Sequence, residues 1–350
     1  MSGDAANNRL IARTSAALQR AIAWVRNRPR TLLATIIGLA IGVVVIWVSH
    51  PAAILESLGE VDPLPLLGAL LLNVPVVALR AVRAQVVLRF LGHTVSFRSM
   101  LPVQLVGQTS STVTPAASGD YLRAYIWRRQ HDIPVRAGAA VVTCERLYSL
   151  FLLLALAVLL ITLPRHGTIG WVGVAIGLVV AALAPLVLEL VTPPSLERFA
   201  LARITSGRLL GRYASGALEM ADNLRRLLRS PQLLTLASGI TLTICVLSGL
   251  QVGLLITGLG DTIHITQAVA AYAISQTAGI LSTLPFGLGA SDAIVVTFLA
   301  GYGLPVGEAA TVAVLLRGVS TLPQALAGLV AYLRLDGSVA PEPAAAEEVR

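Results

Sequence analysis

No lysine occurs among the 350 residues, so all 26 basic side chains are arginine. That excludes chemistry built on a lysine Schiff base or a P-loop lysine. Cysteine is nearly absent as well: Cys144 and Cys245 both sit inside apolar stretches, which leaves no disulfide framework and no metal-ligand spacing. The histidines His50, His93, His131, His166 and His264 are dispersed, with no two spaced to share a helix face. There is no G-x-S-x-G elbow and no P-loop, so metal and nucleophile chemistry find little support and no cofactor is implied. Only 13% of positions are charged. The net charge of +8 does not point to nucleic acid, because the arginines lie beside apolar runs, where topology and anionic head groups account for them.

What the chain has instead is hydrophobicity, at 55% of its positions. Thr31 to Ser49, Pro63 to Val82, Ala137 to Leu163 and Leu233 to Gly258 reach the ~20 residues a helix needs to cross the hydrocarbon core. Gly170 to Leu190 and Gly307 to Leu333 also qualify, the latter despite Arg317 and Pro323. The fold class is therefore an all-α polytopic membrane protein with about six spans.

Arginine placement orients it. Arg9, Arg13, Arg20, Arg26, Arg28 and Arg30 precede the first span, whereas the loop His50 to Asp62 has none. The arginine-rich residues 1–30 are thus cytoplasmic, and Thr31 to Ser49 reads as a retained anchor rather than a cleaved signal. Arg83, Arg89 and Arg98 mark the next cytoplasmic return. The segment from Met100 to Arg136 is too polar around Gln108 to Thr114 to face lipid, and arginines flank it on both sides, so it reads as a re-entrant hairpin. The basic linker 192–231 carries an apolar stripe of Leu210, Tyr213, Leu224, Leu227 and Leu228, suited either to the membrane surface or to a solvated connector. Both termini fall inside, and the Pro-, Ala- and Glu-rich tail 336–350 reads as disordered.

One order of residues occurs twice. Gln108-Thr109, Pro115, Asp120, Pro134-Val135 and Arg146 are followed by Gln276-Thr277, Pro285, Asp292, Pro305-Val306 and Arg317; proline to arginine is 12 positions in both copies. The copies, about residues 64–163 and 233–333 within a membrane domain of 31–335, enter from opposite faces on the charge topology. The expectation is an inverted repeat with two re-entrant hairpins, whose interrupted segments point to the substrate site, and the alternative is that each broken segment crosses the membrane as extra spans.

A charge at the bilayer centre costs about 2.5 to 3.5 kcal/mol, so Glu145, Arg146 and Arg317 should face a bundle interior. Glu145 and Arg146 point about 100° apart on a helix and need partners on different elements. Asp120 and Asp292 suit two tasks, capping the helices that follow them or lining a site. Arg123 lies on the same face as Asp120 and is suited to clamp a phosphate. The polar runs around Gln108, Thr109 and Gln276 either line a head-group path or satisfy the broken helices' own backbone.

The segments LRAVRAQVVLRFLGHTVSFRSM, VGQTSSTVTPAASGDYLRAYIWRR and CERLYSLFLLLALAVL resemble the flippase-like integral membrane family. That family includes the transmembrane flippase half of bacterial lysylphosphatidylglycerol synthase. Pro115, Gly119, Asp120 and Arg123, the pair Glu145-Arg146 and the segment LPFGLGASD carry the likeness. Ser118 stands where the family commonly has glycine, and Asp292 where glutamate is usual. No soluble aminoacyl-transfer region follows Leu333, so aminoacylation of lipid is not expected of this chain. The resemblance implies an inner-membrane transporter of an anionic, aminoacylated or polyprenyl-linked lipid, with membrane lipids and a separate lipid-modifying synthase as partners. The nine residues expected at its site are Gln108, Thr109, Asp120, Arg123, Glu145, Arg146, Gln276, Asp292 and Arg317. An intramembrane enzyme acting on a lipid phosphate and a lipid-binding scaffold are the alternatives.

Overall fold

The computed structural model describes residues 59–162, 208–282 and 289–335, and these are helical with short connections and no strand. The expected spans Thr31 to Ser49 and Gly170 to Leu190, residues 1–30, the first part of the linker, Pro285 and the tail 336–350 lie outside the described residues. Among the described residues four helices are long and apolar enough to cross a membrane: Pro63–Phe90, Val135–Thr162, Pro231–Gly258 and Val306–Arg334. They fall on four of the six expected spans.

The first unit opens with α1 (Pro63–Leu71) and α2 (Asn73–Phe90), one span with a break at Leu72. Asp62 caps it by accepting from Leu64 N at 2.9 Å. Pro75, which has no N–H to give Leu71, accounts for the break three residues earlier. α3 (Phe97–Val113) follows a Ser96 cap, then come a 3-10 turn (Pro115–Tyr121), α4 (Leu122–His131) and the long α5 (Val135–Thr162). After α6 (Arg208–Leu228) the second unit repeats the order as α7 (Pro231–Gly258), α8 (Ile265–Leu281), α9 (Ala290–Gly301) and α10 (Val306–Leu316). A π-turn at Arg317–Thr321 leads into α11 (Leu322–Arg334). Pro323 gives this turn a cause: its missing N–H leaves Val319 O without a helical donor, and Asn73 Nδ2 supplies one at 2.7 Å.

Backbone conformation repeats along with element order. α3 and α8 each have 17 residues. Gly92 and Gly260 take positive φ of 84° and 88° after the helices preceding them, and Asp132 and Gly303 do so before α5 and α10. The packing is exchanged between units: α3 lies against α11, and α8 against α5. A reciprocal exchange of this kind is what a two-fold relation between the units produces.

Two apolar cores result, one centred on α2 to α5 and the other on α7 to α10, both rich in alanine and valine. Small side chains let helix backbones approach closely where lipid supplies no hydrophobic drive. Outward faces are apolar too: Leu322, Leu326, Leu329 and Val330 of α11 are exposed while Gln324, Gly328 and Ala331 are buried. This polar-in, apolar-out order is the reverse of a water-soluble helix and fits hydrocarbon surroundings. In α6, Leu224, Leu227 and Leu228 are buried in the first core against its neighbours, not turned to a membrane surface or to water. That corrects both readings of this half of the stripe; the side chains of Leu210 and Tyr213 lie outside the described set.

Candidate functional site

Between the two cores lies a cavity of about 350 Å³, and all nine residues expected at the site line it. They arrive from both units, because the exchanged packing sets each interrupted helix against the long helix of the other unit.

Glu145 and Arg146, adjacent on α5, find partners on different elements. Arg83 Nε lies 3.3 Å from Glu145 Oε1, and Arg123 Nη2 lies 2.9 Å from Oε2, an ion-pair contact without hydrogen-bond geometry. Arg146 Nε lies 3.2 Å from Asp120 Oδ2, while Arg123 Nε lies 2.9 Å from Asp120 Oδ1. The charges therefore form one chain, Arg83, Glu145, Arg123, Asp120, Arg146. Such a chain is stable in a low-dielectric interior only when its members are mutually paired.

Arg123 is 1% exposed and engaged on every side. Besides the two carboxylates it donates from Nη1 to Gln104 Oε1 at 2.6 Å, and its guanidinium sits 5.6 Å from the Trp127 ring. Gly107 makes the room for it, since a Cβ there would come within 2.6 Å of Arg123 Cδ. The residue read as a phosphate clamp is thus held by protein groups, and its place is to fix Asp120 and Glu145. Gly119 has a related task. A Cβ on it would press on Ser110 Cβ at 2.8 Å, and its N–H donates to Thr114 Oγ1 at 2.6 Å, so the turn presenting Asp120 can close only around glycine.

The second unit repeats the carboxylate-arginine pair alone. Arg317 Nε lies 2.9 Å from Asp292 Oδ1, and Nη2 donates to Oδ2 at 3.1 Å and to Ser291 Oγ at 2.7 Å. Asp292 also accepts from Gly289 N at 3.1 Å, so it caps α9 and pairs with arginine at once. Asp120 makes no such cap to α4, whose start has no side-chain hydrogen bond.

The polar run of α3 divides its work. Ser111 and Thr112 hydroxyls return to Gln108 O at 2.8 and 2.7 Å, satisfying the helix's own backbone. Gln108 Nε2 donates to Gln324 Oε1, Gln324 Nε2 donates to Asn73 Oδ1 at 2.7 Å, and Thr109 Oγ1 donates to Gln324 O at 3.3 Å. Gln276, the repeat counterpart of Gln108, has no hydrogen-bond partner among the described residues.

Several lining residues escaped sequence reading. Arg83, taken as a cytoplasmic marker beyond a span ending at Val82, lies inside α2, which runs to Phe90, and also donates to Ser149 and Thr241 hydroxyls at 2.9 and 3.0 Å. Arg80, one turn earlier, lines the cavity with no hydrogen-bond or ion-pair partner among the described residues. Its signal was the i, i+3 spacing with Arg83 on one helical face. Gln104 lies one turn from Gln108 and shared the same signal. Five arginines (Arg80, Arg83, Arg123, Arg146 and Arg317) thus meet three carboxylates (Asp120, Glu145 and Asp292), an excess of two positive charges. Among the described residues no three His, Cys, Asp or Glu gather to hold a metal ion.

Comparison with known proteins places this geometry in context. The profile of one family, described as Lysylphosphatidylglycerol synthase TM region, matches residues 35–328. A UPF0104 membrane protein of Methanothermobacter thermautotrophicus is 27% identical over 79% of this chain and 88% of its own length. A UPF0104 membrane protein of Methanocaldococcus jannaschii is 21% identical over 80% of this chain and 87% of its own. Glycosyltransferase AglD of Haloferax volcanii is 31% identical over 39% of this chain, which is 22% of AglD.

Proposed function

The chain belongs to the Lysylphosphatidylglycerol synthase TM region family, and we propose that it binds the phosphate of a membrane lipid in the cavity between its repeats and carries that lipid between leaflets. The observation that carries this reading is the excess of two guanidinium groups over carboxylates around an interior cavity of about 350 Å³. Ligand sites commonly occupy about 300 to 1,000 Å³. Space at the lower end suits a head group, with the acyl or prenyl chains left in the bilayer. An arginine cavity buried among apolar helices favours anions, because every attraction within it is less screened than in water.

In this account the α3–α4 and α8–α9 segments are re-entrant hairpins that enter from opposite leaflets, and both termini are cytoplasmic in an inner membrane. Rocking of one repeat against the other exposes the cavity to each side in turn. A separate synthase supplies or consumes the transported lipid. The competing reading, an enzyme acting on lipid phosphates, draws on the AglD match, which reaches 22% of that glycosyltransferase.

Reconstituted full-length protein with anionic lipid labelled in one leaflet distinguishes the two. A transporter moves intact lipid to the other leaflet, whereas an enzyme forms a new product without a change of leaflet. Absence of both movement and binding for every anionic lipid tested overturns the reading.

A further inference from the structure

Resting on that transport reading, the structure narrows the cargo. The repeated order of elements supplies cavity walls from equivalent positions, yet the two halves differ in chemistry. Arg80, Arg83, Gln104, Arg123 and Glu145 line it from the first unit, and the positions corresponding to them in the second are Ser248, Gln251, Tyr272, Val295 and Leu316. Side-chain hydrogen bonds keep the halves apart. Arg83 reaches Thr241 and Ser149 at one end, while Gln251 donates to Ala69 O and Gln324 to Asn73 at the other. The second half is electrically balanced, with Arg317 against Asp292, so the surplus positive charge belongs to the first.

The second half has a different surplus, of hydrogen-bonding groups without partners. Ser248 and Ser275 are 2% exposed and Tyr272 is 8% exposed. Neither these three hydroxyls nor the Gln276 amide has a hydrogen-bond partner among the described residues, and all four side chains line the cavity. Neighbouring hydroxyls behave otherwise: Thr241 and Thr277 return to carbonyls one turn back at 2.7 and 2.8 Å. The gap at Gln276 has a visible origin. Its counterpart Gln108 meets Gln324, but the position matching Gln324 in the first unit is Leu153, which offers no polar atom. Buried polar groups are normally satisfied, so three buried hydroxyls and a half-buried amide facing one cavity call for a ligand or water that satisfies them. Carboxylates are not left over in the same way, because Asp120, Glu145 and Asp292 are all ion-paired.

We propose that the cargo is a lipid phosphodiester whose far end is uncharged and hydroxylated. Its phosphate sits at the first unit's arginines, and its hydroxyl-bearing group sits against Ser248, Tyr272, Ser275 and Gln276. Two lipid types share that chemistry, a glycerol head group on a diacylglycerol phosphate and a sugar on a polyprenyl phosphate. A lysylated head group does not, because its ammonium groups would meet surplus positive charge and no unpaired carboxylate.

The test titrates full-length protein in phosphatidylcholine vesicles with four probes: phosphatidylglycerol, a polyprenyl phosphate monosaccharide, phosphatidic acid and lysylphosphatidylglycerol. Leaflet movement of each is followed in parallel. At least one of the first two should bind about tenfold more tightly than the last two, the difference of one good hydrogen-bonded contact. The double variant Tyr272→Phe/Ser275→Ala should erase that preference without lowering the melting temperature, since neither hydroxyl has a partner among the described residues. Gln276→Leu provides a second route to the same loss. Equal or tighter binding of lysylphosphatidylglycerol, or phosphatidic acid binding as well as both hydroxylated lipids, overturns this inference while leaving transport standing. If none of the four lipids is bound or moved, the transport reading falls with it.

Discussion

Arg317 grips Asp292 from two nitrogens, Nε at 2.9 Å from Oδ1 and Nη2 at 3.1 Å from Oδ2. Arg146 and Asp120 meet at the corresponding place in the first repeat with a 3.2 Å contact from Nε. Asp120 sits in the 3-10 turn at the break of its segment and Asp292 in the first turn of α9, while Arg146 and Arg317 lie on the long helices Val135–Thr162 and Val306–Arg334 that follow. Each pair therefore ties an interrupted element to a continuous one, and in the first repeat Asp120 is shared with Arg123 as well.

Breaking either tie alone should therefore destabilise the protein. Asp292→Asn leaves Arg317 facing a neutral amide, and Arg317→Gln leaves Asp292 with Gly289 N as its charge-assisted donor. Both side chains keep some solvent contact, so each change is expected to cost about 1 to 3 kcal/mol. A thermal-unfolding double-mutant cycle in detergent should show a coupling energy of at least about 0.5 kcal/mol between them; additive losses would mean the pair is not a unit.

Arg123 is the least replaceable charge. Arg123→Met leaves Glu145 with Arg83 alone and Gln104 without its donor, at an expected cost of about 3 to 5 kcal/mol. Arg123→Lys should recover little, because one ammonium cannot address Asp120, Glu145 and Gln104 from separate nitrogens. Gly107→Ala should act like a mild version of the same lesion by pushing on Cγ and Cδ. Yield and melting temperature of the three variants, in the order Met, Lys, Ala from worst to best, check this.

Asn73→Leu removes the donor that serves Val319 O and the acceptor that serves Gln324. With Pro323 in place no backbone N–H can replace it, so the variant should lose about 1 to 3 kcal/mol. Pro323→Ala, which restores an N–H to the helix, should make the same Asn73→Leu change less damaging in a melting assay.

Opposite entry of the two broken segments is open to direct labelling. Thr94 and Thr262 are exposed counterparts in the loops ahead of α3 and α8. In a background with Cys144 and Cys245 replaced by alanine, Thr94→Cys and Thr262→Cys should react with an impermeant maleimide from opposite sides of the membrane. Reaction from one side by both contradicts the inverted arrangement.

The sequence made much of this site legible because charge in an apolar run is expensive. Asp120, Glu145, Arg146, Asp292 and Arg317 stood out for that reason, and the doubled spacing around them located the repeat. Arg80 and Arg83 were hidden by the same logic, since arginines near a span's end also obey the positive-inside tendency. Arg80 falls two residues before the end of the expected span and Arg83 just past it, and the continuation of α2 to Phe90 is what sets both away from the helix end. The place of Arg123 was not readable either, because its partners Gln104, Asp120 and Glu145 come from three elements whose packing no local pattern records. In α6 the spacing showed a stripe at Leu224, Leu227 and Leu228 but not what covers it. The same apolar period serves a membrane surface and a protein core.

The account rests on Arg80, the cavity cation with no protein partner among the described residues, as a contact for the lipid phosphate. Wild-type protein and Arg80→Gln, reconstituted at equal density, should be compared for movement of an anionic lipid between leaflets. Because Arg80 pairs with no group among the described residues, melting should change by no more than about 0.5 kcal/mol equivalent, while the transport rate should fall about tenfold, the loss of one charge-assisted contact. Equal transport rates in two equally stable proteins would contradict the account.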